Sequence, residues 1–159
     1  MAVNPPLAPP ETKANLNDPQ VVAERIKMVL PDAVESASAQ GIVIKNDQLG
    51  NVARLLHDDL SIDYLHNVTS VDYPDRFEVV YHLSSLDRGG APITLRVNAA
   101  RENPTVPSLV PVYRGADFQE REVYDLMGIK FTGHPNLHRI LLWDGFEGFP
   151  LRKDYKEPY

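Results

Sequence analysis

Apolar residues recur at helical spacing early in the chain. Val22, Ile26 and Val29 follow Asp18-Pro19, a pair suited to an N-cap and a first helical position, and Pro31 ends the run. Val34 to Ala39 and Ile42 to Ile44 then flank Gln40-Gly41 and predict short strands around a tight turn. Asn46-Asp47 is placed to cap a second helix, with Leu49, Val52 and Leu56 on its packed face and Asn51, Arg54 and Asp58 exposed. From Ile62 the period shortens to two. Tyr64 to Val71, Arg76 to Ser84 and Pro92 to Ala99 are rich in Val, Tyr and Thr, and residues 72–75 and 87–90 between them carry turn chemistry. Short links favour an antiparallel meander over parallel crossovers. Strands that follow helices, rather than alternating with them, predict an α+β domain with helices packed on one face of a mainly antiparallel sheet.

Past this domain the period fades. Residues 103–107 contain Pro104 and Pro107 and predict an extended loop, and Leu109 to Tyr113 suits either an edge strand or a packed loop. Asp117-Phe118-Gln119-Glu120 matches a capping box opening a charged helix that Gly128 stops. Phe118, Arg121, Glu122 and Asp125 fall along one face of this helix, and Glu120, Val123, Tyr124 and Met127 along another. Beyond Gly128 comes an irregular segment in which Ile140, Leu141, Leu142, Trp143, Phe146, Phe149, Leu151 and Tyr155 are interrupted by Gly145, Gly148 and Pro150. A free tail would be polar and a buried element periodic, so this segment is expected to complete itself against another surface. Aromatic anchors mixed with Arg139 and Arg152 are what buried interface patches are enriched in. The expected organisation is a flexible Pro-rich arm over 1–17, an α+β domain over 18–115, a charged helix over 116–128 and an extended partner-docking segment over 129–159.

Composition narrows the function classes. Among 159 residues, 43% hydrophobic and 24% charged is ordinary globular usage. A net charge of −6 disfavours nucleic acid and anionic lipid surfaces as partners. No apolar run reaches the roughly 18 residues of a membrane span, so contact with a membrane is expected only through partners. The absence of cysteine excludes thiolate zinc, a Cys nucleophile and iron-sulfur ligation by this chain, and Gly89-Gly90 lies between strand-like runs, not before a nucleotide-binding helix.

Two constellations invite a chemical reading. Glu122 and Asp125 could form an acid–base pair in a small hydrolase, but salt bridges are the commoner fate of paired charges on a helix. His134 and His138 stand four apart, as metal ligands can, yet Pro135 and Gly133 argue against a helical presentation and no third ligand stands at a telling spacing. A capping or interface role is expected for both histidines, with no catalytic, cofactor-binding or metal residue in the chain.

Glu120-Arg121-Glu122, Tyr124 to Gly128, Gly133-His134-Pro135, Arg139-Ile140-Leu141 and Pro150 to Tyr155 together resemble the signature of the C-type subunit of NADH-quinone oxidoreductase, respiratory complex I, whose cyanobacterial and chloroplast counterpart is the J-type subunit. The resemblance implies a stand-alone member of the peripheral arm, on the cytoplasmic face of a bacterial inner membrane, with no activity of its own. It would scaffold the large quinone-site subunit and the terminal iron-sulfur cluster subunit in an enzyme that passes electrons from NADH to quinone and pumps protons. Iron-sulfur clusters, FMN, NADH and quinone would then reside on partner subunits. An equivalent subunit of a hydrogenase-type or ferredoxin-dependent complex is the related alternative. Matched by position, the signature residues are Glu120, Arg121, Glu122, Asp125, His134, Pro135, Arg139, Leu151, Arg152, Lys153, Asp154 and Tyr155, with Trp143 as a further interface anchor. One position departs from the pattern: His138 stands where the family usually has Arg or Lys, so an ion pair there is expected to be weaker or pH-dependent.

Overall fold

A computed structural model describes residues 15–158, so most of the expected Pro-rich arm lies outside the described residues. Helix α1, Pro19–Val29, starts as its sequence predicts: the Asp18 side chain accepts from the Gln20 amide, and Pro19 needs no partner there. Its packed face is Val22, Ala23 and Ile26, whereas Val29, the last helical residue, is exposed and not on the packed face its spacing predicts. Strands β1, Val34–Ser38, and β2, Gly41–Ile44, form the expected hairpin. Gly41 is needed at the turn: its φ is +126°, and a Cβ there would lie 2.7 Å from the Thr94 carbonyl oxygen.

The second helical region is less regular than its apolar spacing suggests. A 3-10 turn, Asn46–Gln48, leads into α2, Leu49–Arg54, which relaxes into a π turn, Leu55–Asp59. Asn46 does not cap it. Its amide instead donates to the carbonyls of Asn98 and Thr105, each at 2.9 Å, and ties the turn to two later segments. Leu49, Val52 and Leu56 are fully buried, and Asn51, Arg54 and Asp58 face outward as expected.

Strands β3, Tyr64–Asp72, β4, Arg76–Ser84, and β5, Ile93–Ala100, are the predicted meander. The five strands lie in the order β1-β2-β5-β4-β3. The hairpin thus joins the meander through β2 and β5, which run parallel, while the other neighbours in this sheet are antiparallel. Phe77, Val79, Tyr81 and Leu83 line the covered face of β4, opposite Leu95 and Val97 of β5 and against the helices. The other face is polar, with Glu78 paired to Arg96 and His82 to Asn67. The α+β class and the single helical layer are therefore as the sequence predicts.

Residues 105–107, expected as loop, form a short strand β6, Thr105–Pro107, paired in parallel with β7, Lys130–Thr132. Leu109 to Tyr113 is a packed turn, with Leu109 buried and the Tyr113 hydroxyl donating to the Ile62 carbonyl. Between β6 and β7 runs α3, Ala116–Met127, which lies against β3. Among the described residues no helix is long and apolar enough to cross a membrane.

Candidate functional site

Helix α3 carries many of the signature residues, and its start differs from expectation. The helix begins at Ala116 after Gly115 with no side-chain cap, so Asp117 and Glu120 form no capping box. Glu120 points into the core instead. Its two oxygens accept from the Ser108 hydroxyl at 2.6 Å and the Leu109 amide at 2.7 Å. Burial pushes its pKa up to about 7, although both hydrogen bonds favour the charged form. Next to it on the helix, Gln119 accepts from the Val68 amide at 2.7 Å and so occupies an outward N–H of the edge strand β3.

The opposite flank of α3 organises the C-terminal segment. Asp125 is fully buried, and its Oδ2 accepts from three successive amides, those of Ile140, Leu141 and Leu142, at 3.0, 2.7 and 3.0 Å. Its Oδ1 meets the Arg139 guanidinium at 3.3 Å, and Arg139 also donates to the Gly148 carbonyl. Burial alone would raise the Asp125 pKa, but the three amides and Arg139 outweigh it and hold it below the ordinary carboxylate value. Glu122, by contrast, is exposed beside an open groove between α3 and β3, so the structure does not join it to Asp125 as an acid–base pair.

The histidines are absorbed locally. His134 is shielded and accepts the Asn136 amide on Nδ1, so Nε2 donates to the Asp117 carbonyl at 3.1 Å. His138 faces a cation: Arg121 donates to its Nε2, which leaves Nδ1 to donate to Asn136. Among the described residues the His138 ring thus meets Arg121 and Asn136, and no carboxylate of the chain pairs with it. Arg121 is largely buried, also donates to the His138 carbonyl, and lies over the Phe118 ring. Pro135 is exposed between the two histidines.

Further on, the segment is fastened to the sheet. The Leu151 amide donates to the Leu126 carbonyl, and Arg152 donates to the Met127 carbonyl while stacking over Phe77 and Phe149. Gly128 makes this approach possible, since a Cβ there would stand 2.6 Å from both Arg152 and Phe149. The Lys153 amide donates to Asp72 at the end of β3, and Arg101 bridges Asp72 and Asp154. Tyr155 stacks on Phe146, which meets Trp143 edge-on at 4.8 Å. Sequence reasoning misses Asp72 and Arg101, because nothing local marks them as partners of residues more than fifty positions away.

The polar links fix the backbone of this segment and turn apolar side chains outward. Leu141, Trp143 and Leu151 are 60%, 66% and 60% exposed, and Phe118 on α3 is 66% exposed. Residues 42–159 match the family described as respiratory-chain NADH dehydrogenase, 30 Kd subunit. The chain belongs to this family. Within it, the C-type NADH-quinone oxidoreductase subunit of Roseiflexus sp. (strain RS-1) is 44% identical over 146 residues, covering 86% of this chain and 83% of that one. Its counterpart from Moorella thermoacetica is 42% identical over 137 residues, covering 84% and 92%. Among solved structures, a trypsin-resistant fragment of Nqo5 superposes with a TM-score of 0.55 at 31% identity, covering 71% of this chain and 99% of the fragment. A chain of the membrane-bound sulfane sulfur reductase, an archaeal respiratory membrane complex, has a TM-score of 0.73 at 22% identity over 86% of this chain and shares its fold.

Proposed function

We propose that this chain is the C-type subunit of an NADH-quinone oxidoreductase and acts by docking, without a cofactor of its own. It scaffolds the quinone-site and terminal iron-sulfur subunits on the cytoplasmic side of the membrane, so that their redox centres keep fixed separations. One observation carries this reading: the segment after α3 is ordered by its backbone, through Asp125, Leu126, Met127 and Asp72, while Leu141, Trp143 and Leu151 face outward. A segment folding back for stability alone would bury those apolar side chains. The relatives that carry the NADH-quinone oxidoreductase name support the choice of enzyme. The signature residues divide into two roles. Glu120, Arg121, Asp125, His134, Arg139, Arg152 and Asp154 set the shape of the segment, and Trp143, Leu151 and Tyr155 meet the neighbour together with the exposed Glu122, Pro135 and Lys153.

The test is a combined Leu141→Ser, Trp143→Ser, Leu151→Ser variant, tagged and purified from membranes in mild detergent. Its thermal unfolding as an isolated chain should stay close to that of the unmodified chain, because each exposed side chain contributes within about 0.5 kcal/mol. Its recovery of iron-sulfur and quinone-site subunits should fall at least tenfold. Undiminished recovery would show that this face is not the docking surface.

A further inference from the structure

The C-terminal segment lines an open cleft of about 500 Å³ whose walls include Trp143, Phe146, Pro150 and Tyr155, with Glu147 and Glu157 among its lining. Three of these walls are aromatic: Trp143 stands edge-on to Phe146, and Phe146 and Tyr155 lie within 21° of parallel at 6.3 Å. Among the described residues neither Glu147 nor Glu157 has an ion-pair partner, and both are exposed. Ring faces and carboxylates both attract cations.

The same segment already uses this chemistry internally. Arg139 lies 5.1 Å from the Phe149 centroid and 5.8 Å from that of Phe146, and Arg152 lies 4.7 Å from Phe149. Each of these guanidinium groups combines a ring with a carbonyl acceptor, that of Gly148 for Arg139 and that of Met127 for Arg152.

We propose that the cleft receives an arginine side chain from an adjacent protein chain. A planar guanidinium can lie flat on an aromatic face while its edge donates to a carboxylate, whereas the compact lysine ammonium has no flat face to stack and is more strongly hydrated. The −6 net charge of the whole chain favours a basic partner segment on approach. This inference rests on the docking reading above and names the chemistry the partner brings to one part of that face.

A Glu147→Gln/Glu157→Gln variant of the full chain should fold normally, since both positions are exposed. Each form would be purified with its membrane complex across a series from about 50 to about 500 mM NaCl, a range over which exposed charges become screened. The unmodified chain should be retained with a marked salt dependence, and the variant should be retained about tenfold less at low salt, with a flatter dependence. Identical curves for the two forms would overturn the inference and leave the docking reading intact. An unmodified chain recovered alone at every salt concentration would overturn both. Carbodiimide cross-linking, which couples carboxylates to lysine amines but not to guanidinium, should give no adduct at Glu147 or Glu157; a lysine adduct there would overturn the choice of arginine.

Discussion

Glu120 shows how far a residue's role can lie from its local motif. Its spacing from Asp117 fits a capping box, yet the side chain is wholly buried against Ser108 and Leu109, which sit across the helix in the preceding turn. Among the described residues no cation balances it, and the Tyr81 hydroxyl, whose own ionisation burial and the Glu120 charge oppose, sits buried without a partner. A carboxyl whose folded-state pKa is raised to about 7 binds its proton more tightly folded than unfolded. Its contribution to stability is full below its unfolded pKa, near 4.5, and is lost as pH rises through about 7. Glu120→Gln can accept from Leu109 and donate to Ser108, keeping both contacts without the titration. Urea unfolding at about pH 5.5 and about pH 8 should show the unmodified chain losing about 1 to 3 kcal/mol between the two from this group, and the Gln variant keeping most of it. Parallel behaviour of the two proteins would mean that Glu120 is solvated after all.

At the scale of elements, α3 joins the two halves of the molecule's polar chemistry, holding the β3 edge with Gln119 on one side and the C-terminal segment with Asp125 on the other. The helix itself is legible in the sequence, from its charged run to the glycine stop at φ +71°. What Asp125 does is not, because three amides converging on one oxygen are set by the path of residues 133–142, and that path has no period. Removing the carboxylate should free this path specifically. In Asp125→Ala the amides of Ile140, Leu141 and Leu142 lose their acceptor, and their hydrogen exchange should quicken about 10- to 100-fold, matching roughly 1 to 3 kcal/mol of local ordering. Cleavage by trypsin after Arg139 should accelerate with it, while amides of β4 and β5 keep their protection. Equal acceleration in the sheet would show that Asp125 supports the whole fold, not the segment alone.

For the whole molecule, each strand of the main sheet is legible in the sequence, but the way the two strand groups join is not. A hairpin and a meander each follow from local turns, whereas the parallel seam between β2 and β5 pairs Ile42 with Leu95, far beyond the reach of any local turn, and β6 with β7 is too short to show a period. The C-terminal segment reads from its residues as irregular and interface-like; that its backbone closes on Asp125 and on Asp72 stays hidden, since the Lys153 amide bonds a residue 81 positions earlier. These two carboxylates give the segment a pH response opposite to that of Glu120. Burial works against both, but Arg101 and the Lys153 amide at Asp72, and the three amides with Arg139 at Asp125, lower their pKa values below the ordinary 3.8. Groups lowered in this way contribute above their unfolded pKa, and that contribution is lost as pH falls through the lower, folded value. Acidification below about pH 3.8 should therefore release the segment at both ends, whereas about pH 5 should leave it fastened and the Glu120 site close to its most stable. The single tryptophan, Trp143, lies within this segment, and its fluorescence should change in an acid transition that Asp72→Asn and Asp125→Asn each blunt. If that transition instead coincides with global unfolding in all three proteins, the segment and the sheet form one cooperative unit, and the outward face of Leu141, Trp143 and Leu151 is held by the entire domain.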